Sequence, residues 1–516
     1  MTVRTIRMLA MLFCLCLAVS ACDMEDVLQV AQPTSVDGGS RPTDGDTPDD
    51  VDGTAGEDGA EDPVAEGSAT GSDTSTPDGG SEEDPLSDTG AGDPPQDRTT
   101  PACDHTIASG VEEADGASNF SDVAHGDTVC IAGGTRGPLE LRNFHGADGR
   151  TITFVNDGGT VTIRGDGGDY AGIEIEDSDH IRVTGTGVER RCGASITAGA
   201  QRCGIRILGA ARSVTGKVRT EHIRVDHVEM GDTTQSAVSI KDNSMGRGEW
   251  VERDVVLDHN YIHDVHDEGV YIGSSDYATG DYHVLHGVHL AHNLVVRTGR
   301  DGLQVGSATR DCTIHHNVVR ETGRNDESSH RAGVMNNKGS VCDIYNNSIA
   351  DTAGWGIYVQ GNGGNEIYNN VVVRAGRAVR DGDGDGDGIS IHDGSNVSNS
   401  IYVWNNTVVS SRGDGIGWGN DAGSDNQIRN NIVVASGGVN IDKDQNVRVS
   451  TNLAAQSAST VGFVDPAADD YRLGAGSPAR DTGGSLTARG VVDDFDGVAR
   501  PQGPAYDIGA FEASSG

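Results

Sequence analysis

Between residues 259 and 340 the chain gathers side chains that can move protons and hold charge. Asp267, Glu268, Arg300, Asp301, His330, Arg331 and Lys338 fall there, with ten of the 17 histidines. Two chemistries suit such a set. In an elimination, a cation neutralises a uronate carboxylate while a base removes the adjacent C5 proton. Lys338, Arg331 and His330 are the candidate bases, and Arg300 the neutraliser. In a hydrolysis, two carboxylates flank a glycosidic bond; Glu268 and Asp301 are the candidate pair. Tyr271, Gln304, Tyr358 and Trp355 are candidate contacts for a sugar polymer lying across this face. The competing reading is a solvated ladder of charges on a non-enzymatic solenoid that binds carbohydrate or adheres to a surface. The sequence holds no G-x-S-x-G or H-E-x-x-H motif that would decide the class.

These residues must be positioned by a repeat. An apolar residue, two others and an asparagine recur at Asn260, Asn293, Asn317, Asn347, Asn370, Asn406, Asn431 and Asn452. A second phrase, Gly-(Ile/Val/Leu)-x-(Ile/Val), follows most of them, as in Gly269-Val270-Tyr271-Ile272 and Gly302-Leu303-Gln304-Val305. The local period is two, and the repeats are 21 to 36 residues apart. Short strands with variable spacers predict a solenoid of stacked coils. We expect a parallel β-helix whose asparagines stack at a buried corner and satisfy backbone groups there. His259, His292 and His316 directly precede three of these asparagines and are expected to stack beside them. Register then predicts an outward column of Ser239, Tyr271, Gln304, Met335, Tyr358, Ser390, Gly417 and Asn440. The residue before each glycine gives a neighbouring column: Glu268, Asp301, Ala332, Trp355, Asp387 and Asp414.

The net charge of −41 excludes binding to a nucleic-acid backbone. Residues 1–22 carry Arg4 and Arg7 ahead of a short apolar run ending Val19-Ser20-Ala21-Cys22. That pattern resembles the bacterial lipoprotein signal peptide. The resemblance implies lipidation of Cys22 and a place in the bacterial cell envelope, anchored to membrane on its periplasmic face or at the cell surface. Residues 23–102 hold 22 acids against two arginines and few apolar residues. Such a segment cannot bury enough surface to fold, so it reads as a disordered acidic linker. The folded part is expected over 103–516, with a closing segment from about residue 470.

The first strands, around Gly126-Asp127-Thr128-Val129, Thr151-Ile152-Thr153-Phe154-Val155 and Gly172-Ile173-Glu174-Ile175, are similar to the N-terminal coils of the pectate-lyase-like superfamily. The C-terminal phrases Gly476-Ser477-Pro478-Ala479 and Asp507-Ile508-Gly509-Ala510-Phe511-Glu512 resemble the closing segment of secreted bacterial β-helix proteins. The resemblance implies an all-β, right-handed parallel β-helix over 103–516. It implies a polysaccharide partner, with uronate lyase chemistry preferred if the protein is an enzyme. Since the superfamily also hosts hydrolases and non-enzymes, it does not choose among them.

Six cysteines follow the signal, an even number that suits disulfides in an exported chain. Cys312 and Cys342 each lie five residues before a repeat asparagine. They occupy one position in successive coils, about 4.8 Å apart, within disulfide range. Cys103–Cys130 and Cys192–Cys203 are paired by proximity. Asp381, Asp383, Asp385 and Asp387 alternate with glycine, as carboxylates do in calcium loops, so a calcium ion is the expected cofactor there.

Overall fold

The period-two phrases become strands that pair with the strand one coil further on. A computed structural model of the chain describes residues 101–514, apart from 167, 169, 187–202, 242–244, 276, 278–279, 281–282, 379–385, 393–399, 420–422 and 444–445. The expected signal, Cys22, nearly all of the linker, Cys192, Asp381, Asp383 and Asp385 lie outside these residues.

Each central coil carries three strands. The phrase before the asparagine forms the first face, where Glu221–Asp226, Val251–Asp258, Val284–Ala291, Ala308–His315 and Cys342–Tyr345 pair in parallel. The residues after it form the second, from Val228–Gly231 through Tyr261–Val265, Leu294–Thr298 and Val318–Arg320 to Ser348–Ala350. The glycine phrases form the third, through Val238–Ile240, Val270–Ile272, Leu303–Val305, Val334–Asn336 and Ile357–Val359. The first two faces make a 23-stranded sheet and the third an 11-stranded one. Alternate side chains turn inward, so Val255, Leu257, Val288, Leu290, Ile314 and Ile344 are wholly buried. Each such side chain contributes roughly 1.5–3 kcal/mol of burial.

The asparagines run through the buried corner as an unbroken ladder. Each Nδ2 donates to the Oδ1 of the next, at 3.0–3.1 Å from Asn260 to Asn452. Each also donates to a carbonyl of the coil before, as Asn293 does to Leu257 at 2.8 Å. The residue just before the asparagine takes a left-handed turn, with φ of 55° at His259, 54° at His292 and 52° at both His316 and Asn346. Histidine and asparagine tolerate that conformation better than bulky β-branched residues. The corner histidines stack as expected, with centroids 4.7 Å apart for His259 and His292, and 5.0 Å for His292 and His316.

Val371–Val373, Thr407–Val409 and Ile432–Val434 are buried at every position, so alternation fails there. Their outer sides are covered by the C-terminal segment, whose Phe463, Tyr471, Leu473, Ile508 and Phe511 join them in one apolar cluster. The segment is fastened by Asn405, whose Nδ2 donates to the carbonyls of Asp507 and Gly509 at 3.0 Å.

Cys312 and Cys342 stand directly opposite one another and are bonded, with their Cα atoms 4.4 Å apart. Cys103 and Cys130 are bonded as well. Cys203 is disulfide-bonded, and Cys192, its expected partner, lies outside the described residues.

Candidate functional site

The third-face strands are three residues long, and the charged groups sit where they begin. The backbone N–H of Ala237 donates to the Glu268 carbonyl, that of Gly269 to Asp301, and that of Gly302 to Ala332, at 3.0–3.1 Å. Glu268, Asp301 and Ala332 therefore stack in register. Glycine follows each of them because the coils approach closely; a Cβ on Gly269 would lie 2.5 Å from the Gly302 carbonyl oxygen.

The Glu268 and Asp301 carboxylates are buried, at 3% and 0% exposure. One oxygen of each is held in place. The Ser236 hydroxyl donates to Glu268 Oε2 at 2.7 Å, and the Ala332 N–H to Asp301 Oδ1 at 2.7 Å. The other oxygens face His330, whose Nδ1 is 3.5 Å from Asp301 Oδ2 and 3.9 Å from Glu268 Oε1. Neither His330 Nδ1 nor Asp301 Oδ2 makes a hydrogen bond among the described residues, so the two attract as an ion pair only while His330 is protonated. Burial pushes the Asp301 carboxyl up from its ordinary range. Asp301 in turn raises the His330 imidazole, against the opposing effect of burial. The His330 side chain is 37% exposed, so it stands between the buried carboxylates and solvent.

Arg300 completes the group. Its Nη1 is 3.6 Å from Glu268 Oε1, and its Nε is 3.8 Å from Asp267 Oδ1. Its Nε and Nη2 also donate to Glu327, at 2.7 and 2.9 Å. Four acids thus surround Arg300 and His330. Ligand atoms of Glu268, Asp301 and His330 lie within 4.8 Å of one another, a set that suits a divalent metal.

The other two candidate bases do not join this group. Arg331 is buried and paired with Asp326 at 2.7 Å. It leaves a turn rather than a strand, so alternation does not govern its direction. Lys338 follows the far end of Val334–Asn336, where its carbonyl accepts the N–H of Ser307. The outward column pairs in the expected register from Ser239 to Gly417, whereas Ile416 bridges Ile441 and leaves Asn440 out of it; nor is the column an open sugar platform. Trp355 and Tyr358 are buried, with rings 4.1 Å apart, and cluster with Ala332 and Met335. Gln304 is buried too, and its Oε1 makes no hydrogen bond among the described residues. Tyr271 is half-buried, with its hydroxyl 2.9 Å from Ser275 Oγ. Asp387, described without the rest of its acidic loop, accepts from the Ser390 hydroxyl at 2.9 Å and the Asp414 N–H at 2.8 Å.

Sequence reasoning missed a cationic pocket on the same face. A cavity of about 340 Å³ is lined by Tyr170, Arg212, Lys217, Ser239 and Lys241, among others. Lys217 and Arg212 lie over the Tyr170 ring, at 3.7 and 4.7 Å from its centroid. Lys241 lies over Tyr271 at 4.3 Å. Glu174 balances Lys217 at 2.9 Å. The buried Nε and Nη1 of Arg212 and Oγ1 of Thr215 make no hydrogen bond among the described residues. Lys217 and Lys241 each follow a paired residue, Gly216 and Ile240, so two ammonium groups recur at one position of successive coils. Like charges so placed repel, which was the sequence signal available.

Residues 236–433 match the family model described as the right handed beta helix region. That match and the parallel coils described above show the fold, a right-handed parallel β-helix. The chain resembles the solved structure of pectate lyase Pel9A at 14% identity, over 80% of this chain and 97% of that one, with a TM-score of 0.43. The PL6 family alginate lyase AlyGC is 16% identical over 67% of this chain, with a TM-score of 0.42, and this chain spans 51% of it. The GH136 lacto-N-biosidase from Eubacterium ramulus is 13% identical, over 69% of this chain and 68% of that one, with a TM-score of 0.43. These likenesses are of fold. No curated protein sequence matches the chain.

Proposed function

We propose that the protein acts on a polysaccharide lying along the third face, by elimination from a uronate unit. The observation that carries this reading is His330, part-exposed and backed by the buried carboxylate of Asp301. That is the arrangement of a proton-transfer group held in orientation by an acid. Neutral His330 takes the C5 proton on Nε2. The electron pair forms the C4–C5 double bond, the C4–O bond breaks, and the departing oxygen takes a proton from the new imidazolium. Arg300 faces the developing charge. The cationic pocket of Arg212, Lys217 and Lys241 supports an acidic substrate on the same face.

Hydrolysis is the second reading, favoured by the proximity of Glu268 to Asp301. It is weakened by burial, since Asp301 has no exposed surface to offer a sugar ring. Calcium, at the loop ending in Asp387 or among the acids around Arg300, would supply counter-charge to the uronate carboxylate.

The test is a glycan panel of polyuronates, sulfated and neutral polymers, assayed with and without calcium. Unsaturated ends formed from a polyuronate are the expected result. New reducing ends without unsaturation would move the reading to hydrolysis, and binding with neither product to a carbohydrate-binding solenoid.

We further propose that the chain is exported and held in the envelope by a lipid on Cys22. Cys22→Ser is then expected to shift the protein from the membrane fraction to the soluble fraction. A variant that stays with the membrane would count against the anchor.

A further inference from the structure

The coil corner carries a second cluster, away from the third face. In two successive coils an acid precedes the corner histidine. Asp226 lies 2.7 Å from His227 Nδ1, and Asp258 lies 2.8 Å from His259 Nδ1. In the next coil that position is Ala291, and in the one after it is His315. An imidazole thus stands where carboxylates stood. The small Ala291 leaves His315 room to meet His292 edge-on, with centroids 5.8 Å apart. His316 stacks on His292, and its Nδ1 lies 2.8 Å from Nδ1 of His315. Ligand nitrogens of His292, His315 and His316 all fall within 4.8 Å of one another.

Two neutral imidazoles at that distance share one proton, one nitrogen donating and the other accepting. Asn346 Nδ2 sits 3.1 Å from His316 Nε2, while the buried Oδ1 of Asn346 makes no hydrogen bond among the described residues. Turning the amide over would give Oδ1 a donor in His316 Nε2–H and free the His316 Nδ1 lone pair. Asp258, His259 and Tyr345 are further ionisable groups beside this cluster.

We propose that His292, His315 and His316 bind a late first-row divalent metal ion such as zinc, nickel or copper. Imidazole ligands suit these ions. A tetrahedral zinc site with bonds of about 2.1 Å needs ligand nitrogens about 3.4 Å apart, which lies between the 2.8 Å of His315 and His316 and the 4.8 Å that bounds the set. Three ligands leave one position open, and all three side chains are half-buried. The ion would replace the shared proton. It would also join the coil of His292 to the coil of His315 and His316, as Cys312–Cys342 joins the next pair.

The test uses the full chain, free of tag histidines and stripped of metal, titrated calorimetrically with zinc and nickel chloride. A micromolar or tighter site is expected, with a raised Tm on metal addition. His315→Ala and His292→Ala, each with a metal-free Tm close to that of the parent, should weaken it by at least about tenfold. Glu268, Asp301 and His330 also suit an ion, so Asp301→Asn is run in parallel and should leave the corner site intact. No binding, or binding unchanged in both histidine variants, would overturn the proposal. So would a copper-loaded parent chain whose electron paramagnetic resonance shows no nitrogen ligation.

Discussion

His330→Ala is expected to lower the rate of unsaturated-end formation by about 10²–10⁴-fold, the usual contribution of a positioned acid or base. The side chain is part-exposed, so the fold should survive the change, and circular dichroism would check it. The pH profile distinguishes proton transfer from a structural role. The base must be neutral to accept a proton. Asp301 raises the His330 imidazole above its ordinary value, so the neutral form is scarce in mild acid and grows as pH rises through the raised value. Activity should climb as pH rises through that raised value. Asp301→Asn removes the negative charge that raises the imidazole, so the rising limb should move to lower pH. An unchanged profile in Asp301→Asn, or full activity in His330→Ala, would remove His330 from the chemistry.

Asn347→Ala should be among the most destabilising single changes in the chain. The Asn347 side chain donates to the Ile314 carbonyl at 2.8 Å and to Asn370 Oδ1 at 3.0 Å. Its Oδ1 accepts from the backbone N–H and the side chain of Asn317, both at 3.0 Å. Alanine leaves these wholly buried partners without that side chain, at about 1–3 kcal/mol for each group left unsatisfied. A loss on the order of 3–6 kcal/mol follows from two or three such groups. Denaturant unfolding of Asn347→Ala beside Asn452→Ala would measure it. Asn452 ends the ladder and is only part-buried, so its loss should cost less. Equal costs would mean that the ladder does not act through buried, mutually dependent rungs.

The asparagine register made much of the fold legible before any coordinate. It placed Cys312 opposite Cys342, and Tyr271, Gln304, Met335 and Tyr358 in one column. It also stacked Glu268 on Asp301. What it left hidden has physical causes. Period two tells which side chains point outward, not what lies over them, so Gln304, Trp355 and Tyr358 read as open when they are buried. Arg331 and His330 leave an irregular turn, where neighbours in sequence part company in space. The pocket of Arg212 and Lys217 precedes the ladder. In the coil that would extend it, Val228 holds the asparagine position and offers only its N–H, to Asn260 Oδ1 at 3.1 Å. The meeting of His292 with His315 depends on a left-handed turn and on the small size of Ala291, neither of which a strand pattern encodes.

The Cys103–Cys130 bond has a mechanical meaning. In a solenoid each coil holds only its neighbours, so tension at one end peels the coils in order. Here the first strand, His105–Ile107, pairs with Thr128–Arg136 of the next coil, and the disulfide ties the same two coils just ahead of that strand. A pull on the chain from its N-terminal side therefore meets a covalent clamp before it meets the hydrogen bonds of the first strand.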